Sequence, residues 1–564
     1  MKYEIKDIHN FFKLPIEYLD KKEKINDHIK DDLEMIANEE SCSIYDYLFE
    51  NDNIYSKETS KLWCNYYTYD KKFLRDTQVL IKKFKSSENS NNLESWNIIK
   101  KETSFHEKYR FINISFFEKL NHSPFFLQLI SVYQFISPIW ALLYPILFMI
   151  LPYILLRFNK VNISLSQYYE IIKMMMSSSS IIQLFSTPVT VQNMRTKIYL
   201  LFSAGFYLFG IYQNIMSCIH FYNNMKRMND YIREMNLFIN ESIIQMMNFN
   251  KQCKDYKSYE KFLTEMNDHC ETLKKFTIKF QTIQPYSWSY HNLSNMGYSM
   301  KQFYDIYQDS ELHNSIMYSF GFKGYIKNLE DIQNNLKNKV ISCVKFGDKT
   351  SLKNAYYPVF KNKKDVVKNS YKLNKKIVIS GPNASGKTTI LKTTLFNIIL
   401  SQQIGMGFYE NAKLNPYSKI HCYLNIPDTS DRDSLFQAEA RRCREIIKSL
   451  KDNPNGNHFC IFDELYSGTN PYEAVASAYS FITYLKDYSI DFMLTTHYVE
   501  LCENLDKKSY ICNKKMKISE KGEDIKYLYK MEDGISTYKG GVQVLRQLYY
   551  PKEIIERTVK YLKK

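Results

Sequence analysis

One stretch limits the fold of this 564-residue chain more than any other: "KKIVISGPNASGKTTILKTTL", residues 375–395. Residues 377–380 form a short β-branched run, which reads as a buried strand. The run leads into Gly381-x-x-x-x-Gly386-Lys387-Thr388 and then into a helical pattern. A strand, a glycine-framed turn and a helix in that order make a loop whose backbone N–H groups close around phosphates. The helix N-terminus adds its positive dipole end. The candidate binding residues are Gly381, Pro382, Asn383, Ala384, Ser385, Gly386, Lys387, Thr388 and Thr389. Lys387 is placed to grip the β- and γ-phosphates, and the Thr388 hydroxyl to ligate Mg²⁺. Such a unit belongs in an α/β domain with a parallel sheet.

Three later stretches supply further chemistry. In "NHFCIFDELYSGT" four apolar residues, 459–462, read as a buried parallel strand with Asp463 and Glu464 at its carboxyl end. Open α/β sheets bind ligands at that end. Asp463 is expected in the Mg²⁺ shell, and Glu464 to orient or deprotonate an attacking water. "DFMLTTHY" is another apolar strand and ends in His497, placed to contact a γ-phosphate. In "DSLFQAEARRCREIIKSL" Ser434 followed by Gln437 starts a capping box, and Phe436, Ala440, Cys443, Ile447 and Leu450 give the helix an apolar face. An ordinary capped helix would show the same signs. The order of the four parts, however, is that of ABC-type ATPases.

"GPNASGKTT", "IFDELYSGTN", "TTHYVEL" and the tail "YKMEDGISTYKGGVQVLRQLYYPKEIIERT" together resemble the ATPase domain of the MutS family of DNA mismatch repair proteins, over residues 350–564. The resemblance implies ATP and Mg²⁺ as ligands and a homodimer with two composite sites. It also implies that Ser434 of one subunit acts on the nucleotide of the other, with the tail after Thr537 helping to dimerise. "DVVKNSYKL" resembles the family's adenine-contacting segment, with Val366 where an aromatic is usual. Tyr466 and Ser467 stand where the family has Gly-Arg. Upstream, "YSKETSKLWCNYYTYDKKFLRDTQVLIKKF" is similar to the start of the family's helical core and lever. The stretch ahead of it is too short for the domain with a Gly-x-Phe-Tyr-Glu wedge that mismatch readers carry. The string "GFYE", Gly407 to Glu410, aligns instead with the ATPase core.

The rest of the chain divides by texture. Residues 1–120 read as polar and mostly helical, and the resemblance implies that they are the first half of a lever or core region. Residues 121–225 hold two stretches without Asp, Glu, Lys or Arg, 125–156 and 198–222, joined by "SSSSIIQLFSTPVTVQN", which reads as loop and short amphipathic structure. Residues 226–340 carry long charged helical patterns, and residues 341–564 the α/β domain with its tail. Each stretch without such charges exceeds the roughly 20 residues that cross a bilayer. Core helices would also be apolar, but soluble helices of that length normally show water one charged side. Prolines at 138, 145 and 152 are better tolerated in membrane helices. A transmembrane hairpin is the expectation.

A net charge of +16 suits nucleic acid or an anionic membrane face, although AT-rich codon usage yields the same Lys, Asn, Ile and Tyr excess. Eleven scattered cysteines without a C-x-x-C pair imply reduced thiols facing a cytosol, and the charged N-terminus implies no cleaved targeting peptide. Two function classes follow. One is a MutS-related DNA repair ATPase, soluble in cytoplasm or nucleus, binding duplex or branched DNA by phosphate contacts without true mismatch reading. The other is a membrane-anchored mechanical ATPase whose ATPase domain faces the cytosol.

Overall fold

The computed structural model describes all of the chain except residues 1–4, 37–41, 86–92, 160–162, 177–193, 284–288, 290–292, 364, 427–433, 522–523, 539–541, 543–544, 547 and 563–564. The segment expected to join the two apolar stretches therefore lies outside the described residues. Two compact units are present. One comprises residues 1–3, 89–244 and 270–316; the other comprises residues 4–88, 245–269 and 317–564. Each is built from segments far apart in sequence.

The first unit is helical. Helix α1, Pro124–Phe158, runs unbroken through Pro138, Pro145 and Pro152, about 50 Å at 1.5 Å per residue. Ser123 caps its start by accepting a hydrogen bond from Phe126 N. The next helices are α2, Leu165–Met176, and α3, Met194–Cys253, which is 60 residues long. The change of composition at residues 225–226 thus falls inside one helix and is no element boundary. Helix α4, Met296–Gln308, covers the first turns of α1 and buries Leu127 and Ser131. A Cβ on Gly297 would meet the Pro124 carbonyl oxygen at 2.2 Å, so only glycine allows this approach. Gln128 fixes the contact by accepting from Gly297 N (2.8 Å) and donating to Leu293 O (2.7 Å).

Helices α1 and α3 then run antiparallel. Gln134 donates to Ser217 Oγ (2.6 Å), Tyr207 OH donates to Ala141 O (3.1 Å), and Phe135 meets Phe221 edge-on. Beyond the α4 contact the hairpin shows apolar side chains outward, Ile139, Trp140, Leu142, Leu151 and Leu155 on α1 and Leu201, Phe202, Phe206 and Leu208 on α3. Among the described residues one helical stretch, Pro124–Tyr144, has the length and mean hydropathy (1.5) of a bilayer crossing, with 11% of that window buried. That is one stretch where the sequence led us to expect two. The second, residues 198–222, carries Gln213, Asn214, Ser217 and His220.

The second unit holds a six-stranded sheet. Its strands are β1 Lys376–Ser380, β2 Lys419–Tyr423, β3 His458–Asp463, β4 Ile490–Thr496, β5 Ile511–Lys521 and β6 Asp524–Asp533. The spatial order is β6-β5-β1-β4-β3-β2, parallel throughout except for β6. Helix α5, Lys387–Ile404, follows the glycine-framed loop; α6, Leu435–Asp452, precedes β3, and α7, Pro471–Tyr484, follows it. The core is apolar on both faces of β3 and β4, as a doubly covered parallel sheet requires. A five-stranded sheet with strands between residues 342 and 414 flanks α5.

Helix α5 is buried almost all round, so its polar residues need partners. The N-terminal segment supplies them. Gln403 Nε2 donates to the carbonyls of Trp63 and Tyr66, Gln402 Nε2 to Thr68 O, and Tyr45 OH to Gln403 Oε1. This segment also contains two short paired strands, Lys22–Lys24 and Tyr66–Thr68, in a stretch read from sequence as mostly helical.

Candidate functional site

Cross-strand register brings the chemistry together. Ser380, the last residue of β1, pairs with Thr496 on β4, and Thr495 pairs with Asp463 on β3. The glycine-framed loop, Asp463, Glu464 and His497 thus stand at the carboxyl ends of three adjacent parallel strands. The loop uses a positive φ of 93° at Gly386, which is the residue before α5, and of 62° at Ala384. A side chain at Gly386 would be strained there and would sit 3.0 Å from the Tyr529 ring.

The Lys387 ammonium is buried and donates to the carbonyls of Gly381 (2.9 Å) and Pro382 (3.2 Å), 3.6 Å from Glu464 Oε1. Thr388 Oγ1 donates to Asp463 Oδ2 at 2.7 Å, and Thr495 Oγ1 donates to the other Asp463 oxygen. Glu464 has a φ of 50° and donates its N–H to Thr495 O (3.1 Å). Its Oε1 lies 3.6 Å from His497 Nδ1. The nearby His497 imidazole, and after it the Lys387 charge, hold the Glu464 carboxyl below its ordinary range although burial works the other way.

A cavity of about 730 Å³ opens beside Lys387, Thr388, Asp463 and Glu464, within the size range of small-molecule sites. Asn383, Ala384, Ser385, Gly386, Lys387, Thr388, Thr389, Asp463 and Glu464 line it. Gly381 and Pro382 contribute the carbonyls that seat Lys387. Val366 and Val367 also line it together with Tyr356, Phe360 and Tyr529, so aromatic surface comes from positions other than Val366. Among the described residues no cluster of three His, Cys, Asp or Glu side chains could hold a metal alone. The Thr388 hydroxyl and Asp463 carboxylate fit Mg²⁺ instead, a hard ion that takes one or two protein oxygens beside substrate phosphates.

Ser434 does not line the cavity of its own chain. It caps α6, accepting from Gln437 N while Gln437 Oε1 accepts from Ser434 N (3.0 Å). The buried face of α6 differs from the expected one by an ionisable group: Glu439, Cys443, Ile446 and Leu450 are buried, whereas Phe436, Ala440 and Ile447 are partly so. Gly407, Phe408 and Tyr409 of the Gly407–Glu410 string lie in the core and Glu410 is exposed: Phe408 is fully buried, its N–H donates to Asn397 Oδ1, and the Tyr409 hydroxyl meets Ser401.

Sequence reasoning missed Tyr529 and Phe360. Tyr529 sits over the loop with a φ of 55°, its backbone clasped by Asn369, which donates to Tyr529 O and accepts from Met531 N. It opens the tail quoted above, but no spacing rule marks it.

A parallel sheet whose strand ends carry a glycine-framed phosphate loop, an Asp-Glu pair and a histidine defines a P-loop nucleotide-binding domain. Comparison gives its relatives a name: residues 377–564 match the family described as MutS domain V. The chain is 29% identical over 235 residues to the DNA mismatch repair protein MutS of Caldicellulosiruptor saccharolyticus, covering 39% of this chain and 26% of that protein. The MutS of Persephonella marina is 28% identical over 222 residues, 38% of this chain and 25% of the relative. For the MutS of Bacteroides fragilis the figures are 27% over 191 residues, 33% and 22%. The chain thus spans about a quarter of the length of the curated relatives it matches.

Proposed function

We propose that this chain is a MutS-related ATPase that binds ATP with Mg²⁺, hydrolyses it, and works as a homodimer with two composite sites. The observation that carries the reading is the convergence of Lys387, Thr388, Asp463 and Glu464 on one cavity, with His497 3.6 Å from Glu464, at three adjacent strand ends. Thr388 and Asp463 would hold Mg²⁺, which neutralises phosphate charge when bound. The loop N–H groups and Lys387 bind and orient the phosphates. Glu464, kept ionised by His497 and Lys387, aligns the attacking water and accepts its proton. His497 positions Glu464 and faces the transferred phosphate. Ser434, outside its own cavity, acts on the site of a second copy.

The test is steady-state ATPase. Glu464→Gln should bind ATP and turn over roughly 10²–10⁴-fold more slowly, and Lys387→Ala should lose both binding and turnover. Unchanged turnover in Glu464→Gln overturns the assignment.

In this reading the substrate is duplex or branched DNA held through phosphates, supported by the MutS-like domain and the net charge of +16. Mismatch reading by the Gly407–Glu410 string is excluded from the proposal, because a fully buried Phe408 cannot enter a base stack. A second reading is favoured by one observation, the outward apolar side chains of the α1–α3 hairpin. It makes the protein a membrane-anchored mechanical ATPase with its nucleotide domain on the cytosolic side. Lys119, Lys226 and Arg227 at the hairpin's base fit that placement.

A further inference from the structure

Glu439 takes no part in the chemistry above, yet it is an ionisable group only 2% exposed. It lies on α6, one turn after the Ser434 cap. Its Oε1 accepts from Ser467 N (3.0 Å) and Ser467 Oγ (2.9 Å), and its Oε2 from Gly468 N (3.2 Å). The Tyr423 hydroxyl, at the end of β2, accepts from Tyr466 N (3.3 Å) in the same loop. One carboxylate therefore gathers the loop that leaves Glu464.

We infer that Glu439 is a positioning residue that joins, within one chain, the Ser434 helix serving the partner's site to the loop carrying that chain's own Glu464. The inference rests on the dimeric reading above. Three features support it. The loop is strained, with left-handed φ angles of 50° at Glu464 and 59° at Tyr466, and such residues persist only where their surroundings over-determine them. The loop also touches the first turn of α6 directly: a Cβ on Gly468 would lie 2.7 Å from Phe436 N and 2.8 Å from Leu435 Cγ, and the Phe436 and Tyr466 rings stand 5.6 Å apart. Finally, the one carboxylate holds two successive loop residues, Ser467 by its N–H and hydroxyl and Gly468 by its N–H, so a displacement of α6 is carried to both. A shift of Ser434 on the partner's nucleotide moves Ser467 and Gly468, and these lie within four residues of Glu464.

Mixed dimers of the full chain test this. One chain is wild type and the other carries Lys387→Ala, which silences its own site and leaves its Ser434 helix to serve the wild-type site. Adding Glu439→Gln to the silenced chain should cut turnover at the wild-type site at least tenfold. In the reciprocal dimer, Glu439→Gln on the chain with the active site should cut turnover similarly, with fluorescent-nucleotide affinity within twofold. Ser467→Ala, which removes one of the donors, should show a smaller loss of the same kind.

A control dimer adds Ser434→Arg to the silenced chain. If that control loses activity while Glu439→Gln in the same place keeps it, the clasp is refuted and the dimer stands. If the control keeps full activity, the composite site and the inference both fall. A loss of nucleotide affinity equal to the loss of turnover would mark Glu439 as part of the fold only, and would also refute the inference.

Discussion

Glu464 owes its charge to its neighbours. His497 and Lys387 both favour the ionised form, and they outweigh the burial that opposes it. Removing His497 takes away the larger of these contributions, so in His497→Ala the Glu464 pKa rises. A base that must be deprotonated then needs a higher pH, and the acid limb of kcat/KM should move upward relative to wild type. A limb that stays in place would remove His497 from its positioning role. Lys387, Thr388, Asp463 and Glu464 were legible in the sequence because covalent spacing sets their position relative to a strand end. Tyr529 and Glu439 were not, because a positive φ and a buried carboxylate are properties of tertiary packing. The α6 pattern gave the packed face, since Phe436, Ala440 and Ile447 do meet the core, but it gave no sign that Ile446 and Glu439 are the more deeply buried.

Among the elements, β2 and β3 carry a buried imidazole pair. His421 Nε2 lies 3.2 Å from His458 Nδ1 with the rings stacked, and His458 Nε2 meets Asn453 O at 3.0 Å. Burial, the second imidazole and Lys419 push the His421 pKa from its ordinary 6.5 down to about 3. Between those values the unfolded chain binds a proton that the folded chain refuses, so stability is lost as pH falls below about 6.5. His421→Phe should flatten the decline of the urea midpoint between pH 7 and pH 5. An equally steep decline would mean that other groups govern it. Strand β3 was legible as the apolar run 459–462, whereas β2, "KIHCY", was not read as a strand. The continuity of α3 was not, since a change from apolar to charged composition carries no signal for a helix end without a capping residue or breaker.

At the scale of the whole molecule, DNA and membrane readings make opposite demands on salt. Phosphate contacts release counterions, so DNA affinity should fall by orders of magnitude between 50 and 200 mM salt. Burial of the α1–α3 apolar surface is insensitive to salt, so a membrane-anchored protein should stay in the membrane fraction after a high-salt wash. Release by salt together with steep salt-dependent DNA binding would decide for the first reading, and retention for the second. The α/β domain was visible from sequence because its motifs are local. The two units were not, because their segments meet across hundreds of residues.

That last property also sets a clock. Gln403 reaches the Trp63 carbonyl across 340 positions of chain. A ribosome adds about 5–20 residues per second, so roughly 17–70 s separate the synthesis of the two partners. Through that interval the N-terminal segment has left the exit tunnel with buried-to-be carbonyls and aromatic side chains still facing water. The partner that satisfies the Trp63 carbonyl thus arrives only after most of the chain has been made.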